Sequence, residues 1–399
     1  MRDWSPDQSA KRVEPIDGGN LDGGIVVPTE VKRGGSDGKR RPKFSIIIAV
    51  HNTAEFLSDC LDSILEQSFA DFELIAVDDA STDGSLFYLS RYAASDPRLK
   101  IVQLDRNVGS GGARNAGVAH ARGEYVWFID SDDWIDRESL AKIAARLEAV
   151  DPDVLLFGWS RRYADGHASD CPAAKHLSAA PETFALHEWP QAIRILHTPW
   201  NKVVRRELIL RTRFMFTAGW YQDLPYTYLM LAAAKRISAM PDVLVHYRQR
   251  PSGAMRTKGK GHLAVLKQWA SVWRLVGAHS PRPEILQPFL FDRMTWHLLE
   301  VIRKPDRVPQ EHWHEFFEGA ERLWAAHSPP GYRFPRGLTG LRYRMMAGKL
   351  PLTTLIPLGA RLGSRARRIF GLPPAGLVAP RSSAQPEESR KEISSATAA

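Results

Sequence analysis

The first half of the chain alternates between short apolar runs and longer stretches where apolar residues recur every three or four positions. FSIIIAV (44–50) carries no charge, as a parallel strand buried on both faces requires. In the following AEFLSDCLDSILEQS, Phe56, Leu57, Cys60, Leu61, Ile64 and Leu65 repeat at helical spacing, and Asn52 and Thr53 offer a helix cap. FELIAVD (72–78) predicts a second buried strand, STDGSLFYLSRYAAS a helix, LKIVQLD (99–105) a third strand, and GGARNAGVAHARG (111–123) a loop turning into a helix. YVWFID, ESLAKIAARLEAV and DVLLFGW (153–159) continue as strand, helix and strand. Such alternation with short connections predicts an α/β fold with a mostly parallel sheet flanked by helices. Ligands of such sheets bind beyond the carboxyl ends of the strands.

The polar residues that end the strands fall into three groups: Val50-His51-Asn52, Asp78-Asp79 and Asp130-Ser131-Asp132-Asp133. The topology predicts that all three line one edge of the sheet. Clustered carboxylates repel and need a cation or a shared proton. Oxygen ligands suit Mg²⁺ or Mn²⁺, and a metal held there can neutralise a departing diphosphate. The plainer reading is that Asp132 or Asp133 caps the next helix, but three acids exceed what a cap needs. DASTDG (79–84) opens like an EF-hand loop, yet its twelfth position is Ser90, where that loop requires Glu. HNTAEF after the first strand has no glycine, which excludes a dinucleotide fingerprint. The glycines of NVGSGGARNAG (107–117) precede a helix instead; their amides can face a phosphate, and Arg114 can meet phosphate or ribose.

The rest of the chain changes character. HLAVLKQWASVWRLVGAH, ILQPFLFDRMTWHLLEVIRK and EHWHEFFEGAERLWAAH repeat apolar residues at helical spacing and predict a small C-terminal helical subdomain. Residues 1–42 lack periodicity and are expected to be disordered, as is 373–399. The chain has 399 residues, a net charge of +9 and two cysteines, Cys60 and Cys171. So few thiols build no disulfide framework and fit a reducing cytoplasm. The N-terminus shows no apolar h-region, so no signal peptide is expected, and LPLTTLIPLGA (350–360) is too short and proline-broken to span a bilayer. From Arg322 to Pro386 there is no Asp or Glu. Two readings stand for this basic, apolar stretch: a solvated linker, or a segment drawn to an anionic membrane surface at about 1 kcal/mol per well-placed Lys or Arg. No nucleic-acid motif accompanies the charge, so nucleic acid is not an expected partner.

Several ordered motifs then coincide. KFSIIIAVHNTAEFLSDCLDSILEQSF, FELIAVDDASTDGS, NVGSGGARNAGVAHARGEYVWFIDSDD and WNKVVRREL resemble family-two glycosyltransferases of the GT-A fold, from about Lys43 to Arg256. The stretch GWYQDLPYTYLMLAAAKRISAMPDVLVHYRQRPSGAMRT is similar, more narrowly, to actinobacterial glycosyltransferase modules often followed by a CDP-glycerol glycerophosphotransferase. The resemblance implies a GT-A nucleotide-diphospho-sugar transferase domain over 43–258; periodicity and charge then set the helical subdomain at 259–330 and the basic segment at 331–372. The resemblance implies a cytoplasmic, inverting, metal-dependent enzyme, peripheral on the membrane if the basic segment docks there. Its donor would be a nucleotide sugar, usually UDP-linked. Its acceptor would be a hydroxyl of a cell-envelope glycan, a polyol-phosphate polymer or a lipid-linked molecule.

By motif, Ala49, Val50, His51, Asn52 and Asp79 would hold the uracil end, with Arg114 near the nucleotide. Asp130 and Asp132, flanking Ser131, would bind ribose and an Mn²⁺ or Mg²⁺ ion, with Asp133 assisting. Asp223 falls where the family's catalytic base lies, but its usual Glu neighbour is Gln222 here, and His51 stands where the family commonly has Tyr. Trp200, Asn201 and Lys202 would line the acceptor side, and Arg248, Arg250 and Arg256 would close over the phosphates. His246 reads as a strand-end residue bonded to backbone before it reads as a metal ligand. Two other classes compete. A non-catalytic sugar-nucleotide-binding module draws its support from Gln222. A nucleotidyltransferase would need a glycine-rich, basic loop after the first strand, where HNTAEFL stands.

Overall fold

The computed structural model describes residues 40–170, 174–250, 257–304 and 307–348. Most of the expected terminal tails, Cys171, Arg256 and most of the basic segment lie outside them. In chain order the main elements are β1 (Phe44–Val50), α1 (Ala54–Leu65), β2 (Phe72–Asp78), α2 (Ser85–Ser95), β3 (Leu99–Gln103), α3 (Gly109–His120), β4 (Tyr125–Asp130), β5 (Trp134–Ile135) and α4 (Ser139–Val150). There follow β6 (Val154–Tyr163), β7 (Ala168–Asp170), α5 (Ala174–Ser178), β8 (Lys202–Arg205), α6 (Arg206–Thr212), α7 (Asp223–Ala233) and β9 (Ile237–Gln249). The helices α8 (Ala264–His279), α9 (Pro283–Arg303), α10 (Trp313–His327) and α11 (Gly337–Met346) complete the described chain.

The sheet runs β3-β2-β1-β4-β8-β6-β9-β5, with β7 on the flank of β6. The strands β1 to β4 pair parallel, and so do β6 and β9. As expected, parallel pairing predominates, but the remaining, shorter pairings are antiparallel and make the sheet mixed. The reason is β8. This four-residue strand, KVVR, wedges between β4 and β6 and runs against both. Its short, half-cationic sequence carries no strand signature of its own. Trp127 anchors the approach to it by donating its indole N–H to the Trp200 carbonyl at 2.7 Å.

Both faces of the sheet are covered, which is why β1, β2 and β4 read as predominantly apolar runs. Ile46, Ile48, Leu74, Ala76, Trp127 and Ile129 pack with α1 residues Leu57, Cys60, Leu61 and Ile64 on one side. Ile47, Ile75, Val77, Val126 and Phe128 face the other way, into a core that also takes Trp269, Phe291 and Phe316. The period of two thus splits each strand between two cores. The C-terminal helices share the second core with the sheet, so they are built onto the domain and not hung from it. Among the described residues, no helix is long and apolar enough to cross a membrane.

Local capping departs from expectation at one point. Thr53 is the N-cap of α1 but makes no capping bond; its hydroxyl donates to Ser131 Oγ at 3.0 Å. Asp83 does the capping for two helices. Its carboxylate accepts from Ala54 N at 3.0 Å and from Ser85 N at 2.8 Å, a charge placed where helix N-termini favour it.

Candidate active site

The three strand ends meet as predicted. Val50 lies opposite Asp78, and Ala49 lies between Val77 and Asp130. The Asp79 N–H donates to the Val50 carbonyl at 2.8 Å. His51 Nδ1 is 2.8 Å from the Asp79 carbonyl; a carbonyl can only accept, so Nδ1 carries the proton. Asp79, 2% exposed, accepts from Val108 N at 2.7 Å and so pins the loop before α3. Asn52 adopts a left-handed φ of 53° and accepts from Thr82 N at 2.8 Å. His51 and Asn52 stay exposed above this frame.

Beyond β4 the chain turns without entering a helix, and α4 starts only at Ser139, so neither Asp132 nor Asp133 caps it. Carboxylate oxygens of Asp130, Asp132 and Asp133 lie within 4.8 Å of one another. Arg114 pairs with Asp130 at 2.6 Å, and Arg250 with Asp132 at 2.6 Å. Arg248 binds the same turn through both its backbone and its guanidinium. Its N–H donates to Asp133 Oδ1 at 2.9 Å and its Nε to the Asp132 carbonyl at 2.8 Å. The other Asp133 oxygen is buried and finds no donor among the described residues. Burial, and then the neighbouring acids, raise the carboxyls of Asp132 and Asp133 above the usual range. An all-oxygen set, crowded and incompletely neutralised, fits a hard divalent cation.

Asp223 opens α7. It is only partly exposed, and burial lifts its carboxyl to about 6, with Arg114 opposing and Asp130 adding to the rise. It therefore titrates near neutrality, as a general base should. Its neighbour Gln222 donates to Ser110 Oγ at 2.6 Å, while the amide oxygen lies against Gly111, where an added Cβ would stand 1.7 Å away. The preceding segment is tied to α3 by a side-chain pair that imitates strand pairing. Asn115 donates to the Phe216 carbonyl at 2.9 Å and accepts from Phe216 N at 2.9 Å.

Other candidates fall elsewhere. Trp200, Asn201 and Lys202 are buried at 1%, 0% and 1% exposure, beneath the surface that an acceptor would touch. Lys202 donates to Asn201 Oδ1 at 2.6 Å, to Thr227 Oγ1 at 3.3 Å and to the Thr198 carbonyl. Burial lowers its ammonium to about 7, against the pull of Asp223. His246 lies within β9 and bonds to side chains, not to backbone. Asp136 meets its Nε2 at 2.8 Å, Ser160 Oγ its Nδ1 at 2.8 Å and Arg162 Nε the same Nδ1 at 3.2 Å. This Asp–His–Ser row is no nucleophilic triad, since Ser160 is 1% exposed. Sequence reasoning missed Ser110 and Asn115, which act through distant partners, and Asp83, which also bonds a distant one; the small residues SGG before Arg114 were the one available hint.

Comparison with known proteins now bears on this geometry. Residues 45–209 match the family described as glycosyl transferase family 2. That segment is similar to family-two glycosyltransferases. The β1 to β4 frame and the acid cluster lie inside the match; Asp223 and the C-terminal helices lie outside it. The chain is 28% identical over 215 residues to EpsJ of Bacillus subtilis (strain 168), a protein named as a glycosyltransferase, over 53% of this chain and 62% of EpsJ. It is 30% identical over 217 residues to TarS of Staphylococcus aureus, named poly(ribitol-phosphate) beta-N-acetylglucosaminyltransferase, over 53% of this chain and 36% of TarS. The match thus spans less than two thirds of either relative. The crystal structure of S. aureus TarS 1–349 in complex with UDP-GlcNAc aligns with a TM-score of 0.62 at 23% identity, covering 82% of this chain and 89% of that one. That likeness establishes the GT-A-type fold.

Proposed function

We propose that this protein is an inverting, metal-dependent glycosyltransferase. It takes a sugar from a nucleotide sugar, most simply a UDP-sugar of the kind bound by TarS, and delivers it to a hydroxyl of a polyol-phosphate polymer or another cell-envelope glycan. One observation carries the reading. Arg114 is ion-paired to Asp130 of the acid cluster and also acts on Asp223, so a cation-hungry group and a near-neutral base share one arginine neighbour.

The roles follow from those environments. Ala49, Val50, His51, Asn52 and Asp79 frame the nucleobase end, with Arg114, Asp130 and Ser131 at the ribose and phosphates. Asp130 and Asp132, with Asp133 behind them, would hold Mg²⁺ or Mn²⁺, which when bound supplies positive charge for the departing diphosphate. Asp223 takes the proton of the acceptor hydroxyl as its oxygen attacks the anomeric carbon. The bond from that carbon to the diphosphate oxygen breaks, and the nucleoside diphosphate leaves with the electron pair. One in-line displacement inverts the anomeric centre. Arg250 holds Asp132 at 2.6 Å until a cation competes for that carboxylate, and is then free to meet phosphate.

The test is donor turnover. The full chain is incubated with Mn²⁺ and a panel of nucleotide sugars, and nucleoside diphosphate release is followed with and without chelator. Metal-dependent release from one UDP-sugar, and NMR of the glycosylated product giving the opposite anomer, support the reading. Retention of configuration removes the single displacement. Silence with every donor, together with no metal-dependent UDP binding, leaves a non-catalytic binding module.

A further inference from the structure

Tyr221 has a backbone φ of 59°, in the left-handed region that a bulky aromatic residue rarely enters. Such a conformation costs on the order of 1–3 kcal/mol and persists only where its surroundings enforce it. Here the enforcement comes from the C-terminal helical subdomain. The Tyr221 ring is 4% exposed, and its hydroxyl lies 2.6 Å from Nδ1 of His262, itself 0% exposed. His262 Nε2 is 3.0 Å from the Thr257 carbonyl. That carbonyl accepts, so Nε2 carries the hydrogen, Nδ1 accepts, and the tyrosine hydroxyl donates. The Arg307 guanidinium reaches the same hydroxyl.

The adjoining residues are gripped as well. Gln268 Nε2 donates to Thr217 Oγ1 at 3.0 Å and to the Trp220 carbonyl at 3.4 Å. The Trp220 ring stands edge-on to His262 at 4.6 Å and lies so close to Gly261 that an added Cβ would be 3.0 Å away. Tyr221 in turn leads into α7, its carbonyl accepting from Leu224 N at 3.1 Å. Asp223 lies between the two.

We infer that the helical subdomain aims the base: His262, through the Tyr221 hydroxyl, holds the left-handed backbone at Tyr221 that sets where the Asp223 carboxylate points. His262, Tyr221 and Arg307 are positioning residues in a stretch beyond the family-matched domain, and their role rests on the transfer reaction proposed above.

The experiment uses the full chain and three variants, His262→Leu, His262→Asn and Tyr221→Phe. A misplacement of about 1 Å is worth on the order of a hundredfold in rate. In His262→Leu the kcat is expected to fall by about 30- to 100-fold, while donor KM and UDP affinity stay within about twofold. Asparagine keeps an acceptor near the Nδ1 position, so His262→Asn should recover to within about fivefold of wild type. Amide hydrogen exchange gives a readout independent of turnover: residues 217–224 lose protection in His262→Leu while β1 and β4 keep theirs. If His262→Leu does not fold, Tyr221→Phe, which keeps the ring and loses only the hydroxyl, carries the same two expectations. A kcat within threefold of wild type overturns the inference, as does a loss matched by UDP affinity or a protection loss spread through the sheet. Should wild type be silent with every donor, the transfer reading fails, and the exchange contrast alone decides whether the clasp exists.

Discussion

The acid cluster after β4 and the single acid at the start of α7 are both crowded carboxylates, yet they are treated in opposite ways. Asp130 and Asp132 each have an arginine within 2.6 Å, and Asp133 takes a backbone N–H. Asp223 has no bonded counter-ion among the described residues and meets Arg114 and Lys202 only at longer range. Acids partly neutralised by paired arginines suit a site where one cation replaces another. An acid denied a close partner suits proton transfer, because its ionised form is raised in energy and takes a proton readily near neutral pH. Burial alone, common to both, separates neither role from the other; the distance to the nearest positive charge does.

Removing the lone acid should have the largest effect. Asp223→Asn is expected to lower transfer by about 10³-fold, with UDP affinity unchanged in calorimetry. The same variant should be more stable at pH 7. In the folded chain Asp223 keeps its proton up to about pH 6, against a reference of 3.8. The folded state therefore binds more protons in that window, and stability falls as pH rises through it. Asparagine removes that loss, worth about 1–3 kcal/mol at pH 7 in urea unfolding. The activity profile should lose its acidic limb below about pH 6 for the same reason. An Asp223→Asn enzyme that still turns over would break the comparison.

Cutting into the cluster should instead remove the metal response. For Asp132→Asn, the gain in UDP affinity on adding Mn²⁺ should shrink by about 10- to 100-fold, the range typical when metal-site partners are lost. Next comes Gly111→Ala. Its Cβ would stand 1.7 Å from Gln222 Oε1 and 2.9 Å from the Thr217 carbonyl, pushing the loop before Asp223. A fall in kcat of about tenfold with unchanged UDP binding is expected. The smallest effect concerns Lys202, which loses its proton near pH 7 when folded and near 10.5 otherwise. The unfolded chain then binds more protons, so stability rises with pH across that range. Lys202→Met should flatten the rise between about pH 7 and 9 by roughly 1–2 kcal/mol, read as the difference between two urea series.

The strands β1, β2 and β4, the meeting of their ends and the Asp130–Asp133 turn were legible in the sequence because each is signalled within a few residues. A doubly buried strand favours apolar side chains along most of its length, and its end is where polarity returns. β8 was not legible, since KVVR owes its strand state to the two neighbours it wedges between. The second job of Asp83 and the Asn115 pairing with Phe216 are settled by partners far along the chain. So is the His262 clasp, set in a Lys- and Gly-rich stretch without periodicity. Lys202 shows the opposite failure. A charged residue in a sequence motif suggested surface contact, and the fold gave it buried oxygen acceptors instead.

The wedge of β8 also governs how the chain is made. Trp127 meets its indole acceptor 73 positions later. At about 5–20 residues per second, a ribosome leaves the outer edge of β4 uncovered for about 4–15 s. During that time an apolar strand with unpaired amides and carbonyls is open to any other strand that arrives. Slow passage through the 130–200 region is therefore expected to cost more soluble yield than the same delay after β8.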